Sequence, residues 1–247
     1  MDRLDYLKEL EEKYWDRWVN RILPSTEKVT TRRMQYDSVP KTNEEYYGVH
    51  LDYVRYREIE LLSEELKRTG TGGSVAEVGV EFGYTSEILN RIFPESTLYL
   101  YDSFEGFDKE HIGLEENRFD LPEGYSEAWT SLRPTPDDAA ELVKNRLPYP
   151  EKAVIRKGFF PGTALENDTD EKFKFVILDV DLYKTTLEGL LFFYPRLTTG
   201  GYIMVHDYNT DFFKGIHDAV NEAEETLGRL VRIPITDEGG SLVIQKL

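Results

Sequence analysis

From residue 74 onward, short β-type runs alternate with helical patterns, and few folds accommodate that alternation. Runs over Ser74–Gly79, Thr97–Asp102, Ala153–Lys157, Phe175–Asp179 and Gly201–His206 are proposed as strands. Thr85–Phe93, Pro136–Arg146 and Tyr183–Tyr194 carry helical spacing between them. This order predicts an α/β fold, a doubly wound, mostly parallel sheet covered by helices on both faces. A helix near Phe213–Leu227 and two last runs, Leu230–Pro234 and Ser241–Lys246, complete the pattern. Asp237-Glu238-Gly239-Gly240 between those runs suits a hairpin, so the last strand is expected to be antiparallel. A chain of 247 residues is long enough for one such domain.

Upstream, Leu4, Leu7, Leu10, Tyr14, Trp15, Trp18, Val19 and Ile22 stripe one face of a helix that Pro24 ends. Two uses stay open for that stripe, packing on its own domain or forming the contact of a homodimer. Residues 24–50 read as irregular and polar-aromatic, so 1–50 is taken as an N-terminal helix and aromatic loop, serving as lid or dimer contact. The α/β domain then spans 51–247. It opens with a helix from about Asp52 to Arg68 that turns Val54, Ile59, Leu62 and Leu66 inward, and Gly70, Gly72 and Gly73 stop it. An insertion at about 103–135 carries Phe104, Phe107, His111, Phe119, Tyr125 and Trp129. A loop that long in a compact domain is usually functional, and its aromatics suit a lid.

Charge and composition narrow the partners. A net charge of −17 without a basic patch argues against nucleic acid. The absence of cysteine removes disulfides and thiolate zinc sites, so any metal must be held by Asp, Glu, Asn or His. No apolar run approaches the ~18–20 residues that span a bilayer. The charged start Met1-Asp2-Arg3-Leu4-Asp5 is unlike a signal peptide, which leads to the expectation of a soluble, cytoplasmic protein.

The chemistry gathers at the carboxyl ends of the strands, where ligands of open α/β sheets bind. Glu77-Val78-Gly79-Val80-Glu81-Phe82-Gly83-Tyr84-Thr85 is an E-x-G-x-x-x-G turn opening a helix, unlike the dinucleotide fingerprint G-x-G-x-x-G. Glu77 would meet a ligand with positive charge, and the sulfonium and ammonium of S-adenosylmethionine fit that better than NAD does. Asp102 ends the second strand about 20 residues on, where a carboxylate accepts ribose hydroxyls. Gly158-Phe159-Phe160 follows the third strand; the aromatics either floor an adenine pocket or belong to the core. Asp179 and Asp181, at i and i+2, share one side of an extended strand and need a cation or a shared proton between them. His206 and Asp207 end the next strand, so these four polar residues converge.

In this order, E-x-G-x-x-x-G, D-S-F-E-G, K-G-F-F, D-x-D-L-Y and G-G-Y-hydrophobic-hydrophobic-x-D-Y, the motifs resemble the macrocin O-methyltransferase (TylF-like) family, from roughly Tyr53 to the C-terminus. The resemblance implies a class I methyltransferase (Rossmann-like) fold, S-adenosylmethionine as methyl donor, a divalent metal, commonly Mg2+, and a sugar hydroxyl on a natural product as acceptor. It places Glu77, Gly79, Tyr84 and Thr85 on the amino-acid part of the cofactor, Asp102 and Ser103 on the ribose, and Gly158 and Phe159 near the adenine. Asp179, His206 and Asp207 would hold the metal, with Asp181 a candidate base. Well-known members carry two aspartates where this chain has His206-Asp207. An imidazole there either weakens Mg2+ and favours a transition metal, or acts as the general base. Two other readings stand beside this one, an NAD-dependent oxidoreductase and a non-catalytic nucleoside-binding module.

Overall fold

The computed structural model describes residues 53–122, 124, 138–210, 213–237 and 239–247. The N-terminal helix and aromatic loop, Tyr125 and Trp129 of the insertion, Pro136 and Glu238 lie outside the described residues. The strands are β1 (Ser74–Val78), β2 (Leu98–Asp102), β3 (Ala153–Lys157), β4 (Phe173–Leu178), β5 (Leu197–Val205), β6 (Val231–Pro234) and β7 (Leu242–Gln245). The helices are α1 (Tyr53–Thr69), α2 (Tyr84–Ile92), α3 (Lys109–Phe119), α4 (Ala139–Arg146), α5 (Gly162–Asn167), α6 (Tyr183–Arg196) and α7 (Lys214–Leu227).

All strands join one sheet in the order β3-β2-β1-β4-β5-β7-β6. β1 to β5 run parallel, and β7 inserts antiparallel between β5 and β6, as the hairpin predicts. Period-two alternation sends Val75, Leu98, Leu100, Phe175, Ile177 and Met204 to one face, where α1, α2 and α4 cover them. Ala76, Val78, Tyr101, Val176, Leu178, Ile203 and Val205 line the other face, under α5, α6 and α7. Burial on both faces explains why the strands read as continuous apolar runs. Phe193 sits deep in the second layer, its ring 4.9–5.9 Å from those of Phe192, Phe173, Phe160 and Tyr101.

Several local expectations change. In α1 the inward side carries Tyr56, Ile59, Ser63 and Leu66, with Leu62 partly buried against the same core, while Val54 is 39% exposed. Gly79, Asp179 and His206, expected as last strand residues, each lie one position beyond their strand. The helices α3 and α5 are additions to the expected pattern. Their signals are short, for α3 an Asp108 side chain accepting from Glu110 N–H at the start and Arg118 in the last turn.

Helix α3 places the first half of the insertion on α6 and α7. Phe119 meets the Tyr183 ring edge-on, Arg118 lies over that ring at 4.1 Å, and His111 Nδ1 is 2.9 Å from Thr185 Oγ1. Glu115 is buried, and its carboxylate accepts the N–H of Tyr183 at 2.7 Å and that of Gly215, the first turns of α6 and α7. Burial raises its pKa, and the two backbone donors oppose the rise. Removing this acceptor strands two N–H groups in the interior. Glu115→Ala is expected to cost about 2–4 kcal/mol in urea unfolding, and Glu115→Gln, which keeps one acceptor oxygen, clearly less.

Candidate active site

The register aligns the strand ends. Val78 pairs with Leu178 and Leu178 with Val205, so Gly79, Asp179 and His206 stand side by side just past the sheet. The ladder continues through them, with Gly79 N–H donating to Tyr101 O, Asp179 N–H to Val78 O and His206 N–H to Leu178 O. After each of β1, β2, β4 and β5 the chain then turns through a left-handed residue: Glu81, Phe104, Asp181 and Asp207, with φ of 49°, 54°, 59° and 56°. Such conformations cost energy outside glycine and gather at functional sites.

Asp102 holds two of these turns. Its Oδ2 accepts the N–H of Val80 at 2.7 Å and of Glu81 at 2.9 Å, and its Oδ1 accepts that of Phe104 at 2.7 Å. Ser103, buried beside it, closes its own turn by donating to Gly106 O and accepting from Glu105 N–H. Gly79 is required by chain crossing. A Cβ there would overlap the Asp179 carbonyl oxygen, and its φ is +86°. Tyr84 lies beneath the Arg146 guanidinium at 4.0 Å, and Arg146 Nε donates to Phe82 O at 3.0 Å. Thr85 Oγ1 is 3.2 Å from Tyr56 Oη.

Glu77 is almost fully buried under this turn and hydrogen-bonded by the Ser86 hydroxyl. Burial raises its pKa well above the usual 4.5; Ser86 opposes the rise, the charges of Asp179 and Asp102 add to it, and Arg55 opposes it. At β3, Gly158 N–H donates to Asp102 O at 2.9 Å. The two following phenylalanines divide. Phe160 is core at 7% exposed, and Phe159 is 44% exposed at the sheet edge.

Asp179, His206 and Asp207 form the polar centre. His206 Nδ1 is 3.0 Å from Asp179 Oδ1 and 2.9 Å from Asp207 Oδ2, and Arg55 Nη1 is 3.4 Å from Asp179 Oδ2. Each of the three can offer one ligand atom within 4.8 Å of the others, which suits a small cation. Nδ1 is buried between these two carboxylates, within ion-pair distance of both. Burial favours the neutral ring, but Asp179, seconded by Asp207 and opposed by Arg55, prevails and pushes the His206 pKa from 6.5 up to about 10. Asp181 is not part of this group. β4 ends at Leu178, and the left-handed turn at Asp181 removes the extended geometry that would have set it beside Asp179.

Two contributors escape a reading by motif. Arg55 comes from α1, more than a hundred residues before its partner, and one arginine in a helix carries no signal. Gly239 lies in the β6–β7 turn, where a Cβ would come 2.5 Å from His206 Nε2 and 2.8 Å from Asp207 Oδ1.

The sequence pattern described as macrocin-O-methyltransferase (TylF) matches residues 26–228. The chain belongs to the macrocin O-methyltransferase (TylF) family. It is thus an O-methyltransferase, and the oxidoreductase and non-catalytic readings fall away. No curated protein sequence matches it. Among solved structures, the O-methyltransferase NovP is 22% identical with a TM-score of 0.62, covering 78% of this chain and 79% of its own. The calicheamicin methyltransferase CalS11 is 18% identical with a TM-score of 0.52, covering 86% and 88%. TomG from Streptomyces achromogenes, an O-methyltransferase involved in tomaymycin synthesis and solved with S-adenosylmethionine, is 15% identical with a TM-score of 0.52, covering 83% and 86%. These similarities show the class I methyltransferase fold. Among the described residues, no helix is long and apolar enough to cross a membrane.

Two outcomes follow for this TylF-family chain. Asp102→Ala removes the acceptor of three backbone N–H groups and is expected to destabilise the protein by about 2–4 kcal/mol in urea unfolding. For Glu77 the folded pKa exceeds the unfolded one, so its contribution to stability is full below about 4.5 and is lost as pH rises through the raised folded value. The melting temperature of Glu77→Gln minus that of the wild type should therefore increase from pH 4 upward in the cofactor-free protein; a pH-independent difference would contradict the assignment.

Proposed function

We propose that the chain transfers the methyl group of S-adenosylmethionine to a hydroxyl of a small molecule, a sugar on a glycosylated natural product, with a divalent cation assisting. The observation that carries this reading is the row of Gly79, Asp179 and His206 at the carboxyl edge of the sheet, with Asp102 at one end and Asp207 at the other. Family membership and the likeness to methyltransferases of antibiotic biosynthesis support the substrate class.

Each residue's part follows from its place. A carboxylate has about four acceptor sites. Those of Asp102 not taken by Val80, Glu81 and Phe104 would receive a ribose hydroxyl, with Ser103 beside it. Glu77, Gly79, Tyr84 and Thr85 would frame the amino-acid end, where the cofactor's positive charge would draw Glu77 back toward its ionised form. Gly158 and Phe159 would border the adenine, the exposed Phe159 ring being free to stack. Asp179, His206 and Asp207 would hold the cation. Bound there, it supplies Lewis acidity that lowers the pKa of the acceptor hydroxyl.

Of the two roles open to His206, ligand suits its surroundings better than base, because Nδ1 faces two carboxylates and Nε2 faces the Gly239 turn. That leaves Asp181, just beyond the cluster, as the group to take the hydroxyl proton. Holding oxygen and methyl aligned replaces a bimolecular encounter. The rest of the insertion would close over the acceptor and keep water out. A cytoplasmic homodimer completes the reading.

Methyl transfer from radiolabelled S-adenosylmethionine to a panel of glycosides, with and without EDTA, tests it. Transfer to sugar hydroxyls that chelation suppresses is expected. Undiminished transfer in EDTA would remove the cation. Asp179→Asn should lower kcat by about 100-fold or more, the scale of several kcal/mol of charge stabilisation.

A further inference from the structure

The cluster of Asp179, His206 and Asp207 has an asymmetry that bears on which cation it holds. The two nitrogens of His206 face different surroundings. Nε2 is walled by the β6–β7 turn, so close that a Cβ on Gly239 would lie 2.5 Å away. Nδ1 points the other way, buried, 3.0 Å and 2.9 Å from one oxygen each of Asp179 and Asp207. Donors about 3.0 Å apart are adjacent corners around one ion whose bonds of about 2.1 Å meet at right angles. The spacing is thus that of ligands sharing a cation.

We propose that this site takes a first-row transition-metal dication in preference to magnesium, with His206 ligating through Nδ1 while its Nε2–H faces the Gly239 turn. The inference rests on the metal-assisted reading and names the class of metal. Magnesium selects hard oxygen donors, whereas imidazole suits the later first-row ions. Here one of three protein donors is a nitrogen. The Arg55 guanidinium, 3.4 Å from the second oxygen of Asp179, also draws on that carboxylate's charge. This weakens a purely electrostatic bond to magnesium more than one with covalent character. With no cysteine in the chain, His206 is the softest donor within the cluster.

Calorimetric titration of the metal-stripped protein with Co2+ and with Mg2+, repeated on His206→Asp, tests the preference. The Co2+/Mg2+ affinity ratio of the wild type should exceed that of His206→Asp by about tenfold or more. Proton NMR of the Co2+-loaded wild type should show one strongly shifted, solvent-exchangeable imidazole N–H resonance that vanishes in D2O. An unchanged ratio, or no such resonance, overturns the inference. If His206→Asp does not fold, the resonance decides alone. Tighter binding of Mg2+ together with EDTA-sensitive methyl transfer would overturn the preference and leave the metal-assisted reading standing. Binding of neither ion would overturn both.

Discussion

The ends of β1 and β4 run so close together that no side chain fits between them. At Gly79 the neighbouring strand's continuation, the Asp179 carbonyl, occupies the space a methyl group would need. That contact sets the turn after β1 beside the polar cluster, because Asp179 presents its backbone to Gly79 and its side chain to His206. Parallel ladder bonds carry the alignment outward to β2 and β5. The site depends on strand register before it depends on any particular acid.

So many carboxylates in one place would repel each other, and each has its own form of compensation. Asp102 is bound by backbone N–H groups, and Glu77 is buried and pushed toward its neutral form. Asp179 has Arg55 on one oxygen and His206 on the other. Glu115, farther out, uses the starts of two helices that follow the β4 and β5 loops. The strain of the left-handed turns at Glu81 and Phe104 is offset by the same bonds that hold Asp102. The acids gathered at the sheet edge are therefore also structural groups.

Much of this was legible in the chain. Alternating apolar runs marked the strands because burial on both faces leaves no polar positions in them. Gly79, Asp102, Asp179, His206 and Asp207 stood out since turns after parallel strands must expose their residues at one edge. The helix α3 was hidden, its hydrophobic stripe replaced by contacts from Glu115, Arg118 and His111. The choice between Phe159 and Phe160 was open by pattern, and packing against Phe193 made Phe160 core. Asp179 and Asp181 do not share an extended strand, because β4 ends before both and Asp181 sits in a left-handed turn.

The sequence by itself determined the fold class, the direction of the last strand and which acids gather at the sheet edge. These follow from short-range periodicity and from strand order, both written in the local pattern. Only the tertiary structure decided that Asp102 ties two turns together, that Arg55 reaches Asp179, and that Gly239 turns His206 so that Nδ1 meets the carboxylates. Each of those depends on atoms brought together from distant parts of the chain, and no spacing within one segment encodes such a distance.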